Sequence, residues 1–171
     1  MSSLGLMTLP LSPEQLHEVT SQIGFAVWQI QVLERAVGAY LVLVHKATLA
    51  IARAEVETMF AKAGKSTLGQ LLREIKAAED APQHLIDQLD GFVPKRNWLV
   101  HHSRHESHKE MYSAAGRTAL IARIEAIADE ALALMKLFDA ATEEYLETRG
   151  ISKEEVNRRT AELLAEWMKG A

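Results

Sequence analysis

The sequence predicts an all-α protein, an antiparallel helical bundle of about five helices forming a single domain over 1–171. Three observations predict it. Apolar residues recur at close to 3.6-residue spacing through most of the chain, residues that start and stop helices punctuate those runs, and nowhere do two alternating segments flank a turn as in a hairpin. The aliphatic run Leu41-Val42-Leu43-Val44 sits in Ala-rich, helix-period surroundings without turn residues, so it too is expected in a helix.

The first helix is expected to open at Ser12-Pro13-Glu14-Gln15. There Ser12 can accept from the amide three residues on, Gln15 can reach back, and Pro13 occupies the tolerated first turn. Its apolar face runs through Ile23, Val27, Ile30, Leu33, Val37, Tyr40, Leu41 and Val44 and continues towards Met59-Phe60 until Gly64 stops it, with Gly24 and Gly38 the expected kinks. Ser66 or Thr67 then caps a short helix carrying Leu68, Leu71, Leu72 and Ile75. Asp80 and Pro82 open the next, with Leu85, Ile86, Leu89, Phe92 and Val93, and Pro94 kinks it or starts a fresh turn because it lacks an amide and crowds the turn before it. A polar segment from Ser103 to Gly116 precedes a long helix from about Arg117 to Thr148, faced by Leu120, Ile124, Ile127, Ala131, Leu134 and Phe138 and ended by Gly150. Ser152 with Glu155 forms a second capping box, opening a helix of about 152–169 that carries Val156, Leu163, Leu164 and Trp167. No repeat or linker divides the chain, and disorder is expected only at its ends.

Composition narrows the function classes. Apolar residues at 48% and charged ones at 25% are those of an ordinary globular protein. Cysteine is absent, which excludes disulfides, thiolate zinc sites and a thiol nucleophile and fits a reducing compartment. The opening MSSLGLMTLPLSPEQ lacks a basic region followed by an apolar run, and AYLVLV is too short to span a bilayer, so a cytoplasmic location and no membrane partner are expected. A formal charge of −4 opposes broad, sequence-independent nucleic-acid binding, so any such contact is local.

Chemistry concentrates in KRNWLVHHSRHES, residues 95–107. Three readings compete with a solvated helix end. AGKST, Ala63 to Thr67, ends like a phosphate-binding loop, but Met59 stands where that motif needs glycine and a helix is expected where it needs a strand. His101, His105 and His108 would share a face of a continuing helix at i, i+4 and i+7 and could present three imidazoles to zinc, though no carboxylate stands at a fixed spacing to complete the set. The third reading starts from Arg96, followed directly by Asn97 and, after four intervening residues, by His101, with Trp98, Leu99 and Val100 between them. From Lys95 to Lys109 there are four Lys/Arg and one acid, a formal +3 within an acidic chain.

RNWLVH resembles the Arg-polar-x-x-x-His signature of the HEPN domain family, the all-helical domains named for nucleotide binding in higher eukaryotes and prokaryotes. The resemblance covers about 20–150 as a HEPN-type core, leaving the helix of about 152–169 outside it. It implies a metal-independent endoribonuclease of a toxin-antitoxin, defence or RNA-processing system, needing no cofactor, with a site built from two protomers of a homodimer. An antitoxin or nucleotidyltransferase partner is implied as well. Carried over residue by residue, Arg96 holds the scissile phosphate, His101 moves protons, and Asn97, four residues before His101, orients the imidazole or donates to a phosphate oxygen. His102 is the second candidate histidine, since the family tolerates four to six intervening residues. Some toxin members carry a tyrosine two residues after the histidine; here that residue is Ser103. Five residues turn an α-helix by roughly 140°, so Arg96 and His101 are not expected to stack on one face of one helix, and pairing across a dimer is expected to unite them. Trp98, Leu99 and Val100 are expected to pack in the core or an interface. Three alternatives stay open: a solvated polar face with a structural Arg96 bonded to helix-end carbonyls or to an acid, a catalytically silent HEPN-like module binding a partner protein or small ligand, and a helical interaction protein whose match is accidental.

Overall fold

A computed structural model describes residues 11–47 and 52–169, and 86% of these residues are helical with no strand among them. The chain is an all-α bundle. Helix α1 is Pro13–Tyr40, continued by a π-helical turn, Leu41–Lys46; α2 is Arg53–Ala63, α3 Leu68–Lys76 and α4 Gln83–Asn97. A second π-helical turn, Trp98–His102, leads into α5, Ser103–Glu106; after a 3-10 turn at Glu110–Tyr112 come α6, Ala114–Thr148, and α7, Lys153–Lys169.

The core is where the stripes meet. Val19, Ala26, Ile30, Leu33, Val37 and Tyr40 of α1 pack with Leu120, Ile124, Ile127, Ala131, Leu134 and Phe138 of α6, all buried and spaced by three, four or, from Val19 to Ala26, seven residues, as one face of a helix requires. Tyr40 meets Phe138 edge to face at 5.2 Å near the later ends of both helices, while Val19 and Leu120 line one cavity near their starts, so α1 and α6 run the same way. Helix α4 lies antiparallel to α6: Lys95 near its end binds Glu130, and Arg123, a further two turns back along α6, covers Trp98 just beyond α4. Chain direction thus returns through α2 to α5 before α6 is laid beside α1.

Local signals explain most boundaries. The Ser12 box forms as expected, with Ser12 Oγ accepting from Gln15 N–H at 3.3 Å and Gln15 Oε1 accepting from Ser12 N–H at 3.1 Å. Thr67, with Gln70, caps α3. Gly150 adopts φ +78, and Ile151 N–H reaches Leu146 O at 3.0 Å, the left-handed stop that glycine permits without steric cost. Ser152 Oγ accepts from Glu155 N–H at the start of α7. Among the described residues of α7 none is buried, and the side chains of Leu163 and Trp167 lie outside the described set.

Several expectations are corrected. The first helix does not run on to Gly64: the π turn ends it, Ala47 is extended, and α2 is a separate helix. The π turn is tied to later chain by Lys46–Glu74 and by His45 Nδ1 to Asp80 Oδ1 at 3.1 Å, contacts between residues far apart in sequence. Asp80 is therefore taken by His45, and Pro82 alone stands at the α4 N-cap. Gly24 and Gly38 lie inside the continuous α1; a Cβ on Gly38 would stand 3.3 Å from that of Ala63, so this glycine permits the close approach of α2. Pro94 sits within α4 and does not end it. The polar segment from Ser103 is itself largely helical, and α6 starts at Ala114, capped by Ser113. Pro13–Lys46 has the length and apolarity of a membrane span, with mean hydropathy 1.3 over its most apolar window, because its core stripe extends far beyond AYLVLV.

Candidate functional site

Arg96 and Asn97 close α4, and the backbone then widens into the second π turn, where Ser103 N–H donates to Trp98 O and Ser103 Oγ donates to Leu99 O at 2.6 Å. In an i→i+5 turn the fifth residue comes round nearly above the first, whereas in an α-helix it would be far off to the side. The consequence reverses the sequence expectation: Arg96 Nη1 stands 3.4 Å from His101 Nε2 within one chain, with no second protomer needed to unite them. A guanidinium only donates, so this contact uses the lone pair of Nε2 and leaves the imidazole proton on Nδ1. The same Nη1 donates to Asn97 Oδ1 at 3.3 Å, so Asn97 braces the arginine rather than the imidazole.

Arg96 is anchored from across the bundle. Its Nη2 donates to Glu34 Oε1 of α1 at 3.2 Å, and both side chains are less than one-fifth exposed. The same carboxylate oxygen accepts Leu68 N–H at 3.1 Å, an amide in the first turn of α3 that has no carbonyl partner within its helix. Arg96 Nε is buried with no partner among the described residues. His101 and His102 are exposed, and their ring centroids are 6.3 Å apart; only His101 contacts Arg96.

The rest of RNWLVH divides by burial. Trp98 and Leu99 are buried, and the Arg123 guanidinium lies 3.3 Å from the centre of the Trp98 ring, a cation over an aromatic face. Val100, expected to pack, is instead 41% exposed, because the wider turn points it outward. The basic patch is smaller than its formal charge: Lys95 is paired with Glu130 and Arg96 with Glu34, leaving Arg104 and Lys109 without ion pairs among the described residues. His105 and His108 are exposed, His108 lying against the Tyr112 ring, and no group of three His, Asp or Glu residues suited to a metal occurs among the described residues. At Ala63 to Thr67, Gly64 ends α2 in a right-handed conformation and a helix precedes it, so the phosphate-loop geometry is not formed.

Glu34, and Trp28 in the cleft beside it, escaped the motif reading. Glu34 holds Arg96, and it also lines a cleft of about 400 Å³ with Arg35, Ser66 and Trp28, whose ring is 66% exposed. Glu34 was traceable: it is four residues after the buried Ile30 and four before the buried Gly38, an acid in register with a core stripe, which needs a partner. No protein-family model matches the chain, and no curated protein or solved structure matches it either.

Proposed function

We propose that this protein is a HEPN-like, metal-independent endoribonuclease of a toxin-antitoxin, defence or RNA-processing system. The observation that carries the reading is the 3.4 Å approach of Arg96 Nη1 to His101 Nε2. RNA brings its own nucleophile, the 2′-hydroxyl. His101, neutral with its lone pair on Nε2, takes the 2′-hydroxyl proton; the 2′-oxygen bonds to phosphorus, the 5′-oxygen leaves, and a proton is returned to it. Arg96 donates to a non-bridging phosphate oxygen, exchanging its contact with Nε2 for one with the substrate as negative charge builds. Glu34 and Asn97 hold the guanidinium in place, and the exposed Trp28 ring in the neighbouring cleft offers a face on which an unpaired base can stack.

Homodimer formation belongs to the same proposal and is supported by the large apolar side chain of Phe25 on α1, which is 53% exposed and lies outside that cleft. Light scattering tests it, with a dimer expected. Cytoplasmic location is proposed on the lack of cysteine, which fits a reducing compartment, and an antitoxin or nucleotidyltransferase partner on the HEPN resemblance.

One observation favours the silent module: Glu34 already neutralises Arg96. A single assay separates the two. Purified protein with EDTA present should cut single-stranded or loop RNA, spare DNA and leave 2′,3′-cyclic phosphate and 5′-hydroxyl ends. His101→Ala and Arg96→Ala should each lower the rate on the order of 10²-fold or more with the fold intact, and His102→Ala, His105→Ala and His108→Ala should change it little. Absence of cleavage across varied RNAs, with partner binding that depends on Arg96, would decide for the silent module.

A further inference from the structure

The cleft of about 400 Å³ beside Arg96 lies in the size range of small-molecule sites, roughly 300–1,000 Å³, and polar and apolar surface share it almost equally. Helix α1 supplies one wall. Trp28 and Arg35 are seven residues apart, two turns along the same face, and Glu34 stands next to Arg35. The end of α2 supplies the facing wall through Ala63, Gly64 and Ser66, residues too small to cover Trp28, which is 66% exposed. Arg35 is exposed and forms no ion pair or hydrogen bond among the described residues. Glu34 spends one oxygen, Oε1, on Arg96 Nη2 and the Leu68 amide; its Oε2 accepts from no donor among the described residues.

An aromatic face, a carboxylate oxygen and a guanidinium at one cleft suit a flat ligand whose rim sets paired donors beside paired acceptors. Among the RNA bases guanine alone has that rim: N1–H and the 2-amino group donate, and O6 and N7, directly alongside, accept. Adenine and cytosine each set a single amino group beside ring acceptors, and uracil sets one N–H between two carbonyls. We infer that the cleft is a guanine-binding site, in which the base stacks on Trp28, Arg35 donates to O6 and N7, and Glu34 Oε2 accepts from N1–H and the 2-amino group. Helical side chains lean towards the N-terminus, so Arg35 reaches back to the rim of a base lying on Trp28, two turns before it. Glu34 also holds Arg96, so a guanosine seated here stands one side chain away from the Arg96–His101 pair. Base binding rests on the cleft itself; its consequence, cleavage beside guanosine, rests on the ribonuclease reading.

Isothermal titration of the full chain with the four ribonucleoside 5′-monophosphates tests the inference. One GMP should bind per chain, at least about tenfold more tightly than AMP, CMP or UMP, in line with the strength of a hydrogen bond to a charged group. Two analogues probe the contacts from the ligand side, since removing Glu34 would also loosen the fold. IMP lacks the 2-amino group that Glu34 holds and 7-deaza-GMP lacks the N7 acceptor that Arg35 holds, and each should bind about tenfold more weakly than GMP. Arg35→Ala, at an exposed helical position that alanine suits, should bring GMP down to the level of 7-deaza-GMP and erase the difference between them. Trp28→Ala should weaken all four nucleotides by about tenfold. Equal affinity for the four nucleotides, either analogue binding as tightly as GMP, or an Arg35→Ala chain that keeps its preference for GMP would overturn the inference. Mapping the ends of cut RNA separates it from the ribonuclease reading. Cuts beside guanosine, with the preference lost in Arg35→Ala, are expected; cuts without regard to base, from a chain that does not select GMP, would sink the guanine site and keep the ribonuclease. Selective GMP binding by a chain that cuts no RNA would uphold the site and sink the ribonuclease.

Discussion

Glu34 Oε1 lies 3.2 Å from Arg96 Nη2, joining residues sixty-two positions apart and tying α1 to the end of α4 at the point where the backbone widens into a π turn. The same oxygen holds the Leu68 amide at the start of α3, so one carboxylate fixes three elements. Glu34→Ala should destabilise the protein by about 2–4 kcal/mol, somewhat below a fully buried pair because both side chains keep some exposure. Glu34→Gln should cost less, since its amide oxygen still accepts from Leu68 N–H. Urea unfolding of both variants checks the order; equal losses would mean that the ion pair, and not the amide contact, carries the effect.

Trp98 and Arg123 should behave as unequal partners. Trp98→Ala empties a buried ring position and should cost about 3–5 kcal/mol. Arg123→Ala removes only the cation over the ring, at about 0.5–1 kcal/mol, and its partial dependence on charge should show as a smaller effect in high salt. Thermal melts at two salt concentrations measure both.

The two glycines of α1 should respond in opposite directions to alanine. Gly24 has nothing within 4 Å of an added Cβ, so Gly24→Ala gains helix propensity and should stabilise by about 0.5–1 kcal/mol. At Gly38 the same Cβ meets that of Ala63 at 3.3 Å, and the strain of moving α2 should exceed that gain, with a net loss of about 1–2 kcal/mol. Denaturant midpoints of the two variants should fall on either side of the parent.

Tyr40 should make the protein sensitive to alkali. Burial raises its phenol above the usual 10.0, and the nearby Asp80 charge adds to the rise. Above pH 10.0 the unfolded chain loses this proton while the folded protein retains it, so stability falls as pH rises through that value and on to the folded pKa. Tyr40→Phe should remove this part of the slope with little change at neutral pH, because the hydroxyl forms no hydrogen bond to any of the described residues. Unfolding free energies measured between pH 9 and pH 11.5 for both proteins should diverge on the alkaline side only.

Much of the bundle was legible in the letters because helix formation is governed by short-range rules. Ser12, Thr67 and Ser152 mark starts through side chains that bind amides three residues on, Gly150 marks a stop through its access to positive φ, and the α6 stripe from Leu120 to Phe138 repeats at the helical period. The long helix expected to reach Gly64 failed for the opposite reason. Nothing local in LVLVHK breaks an α-helix; the turn is widened and ended where His45 and Lys46 meet Asp80 and Glu74.

By itself, the sequence determined the all-α class, most helix boundaries, the buried stripes and the candidate set Arg96, Asn97, His101 and His102, since each depends on residue type and spacing along one stretch of chain. Tertiary structure alone decided which of those side chains meet. A change of one residue per turn rotates everything beyond it by about 100°, and no propensity distinguishes an α turn from a π turn at Trp98–His102. That choice brings His101 onto Arg96 and leaves His102 aside, while Glu34, remote in sequence, supplies the charge that holds the arginine there.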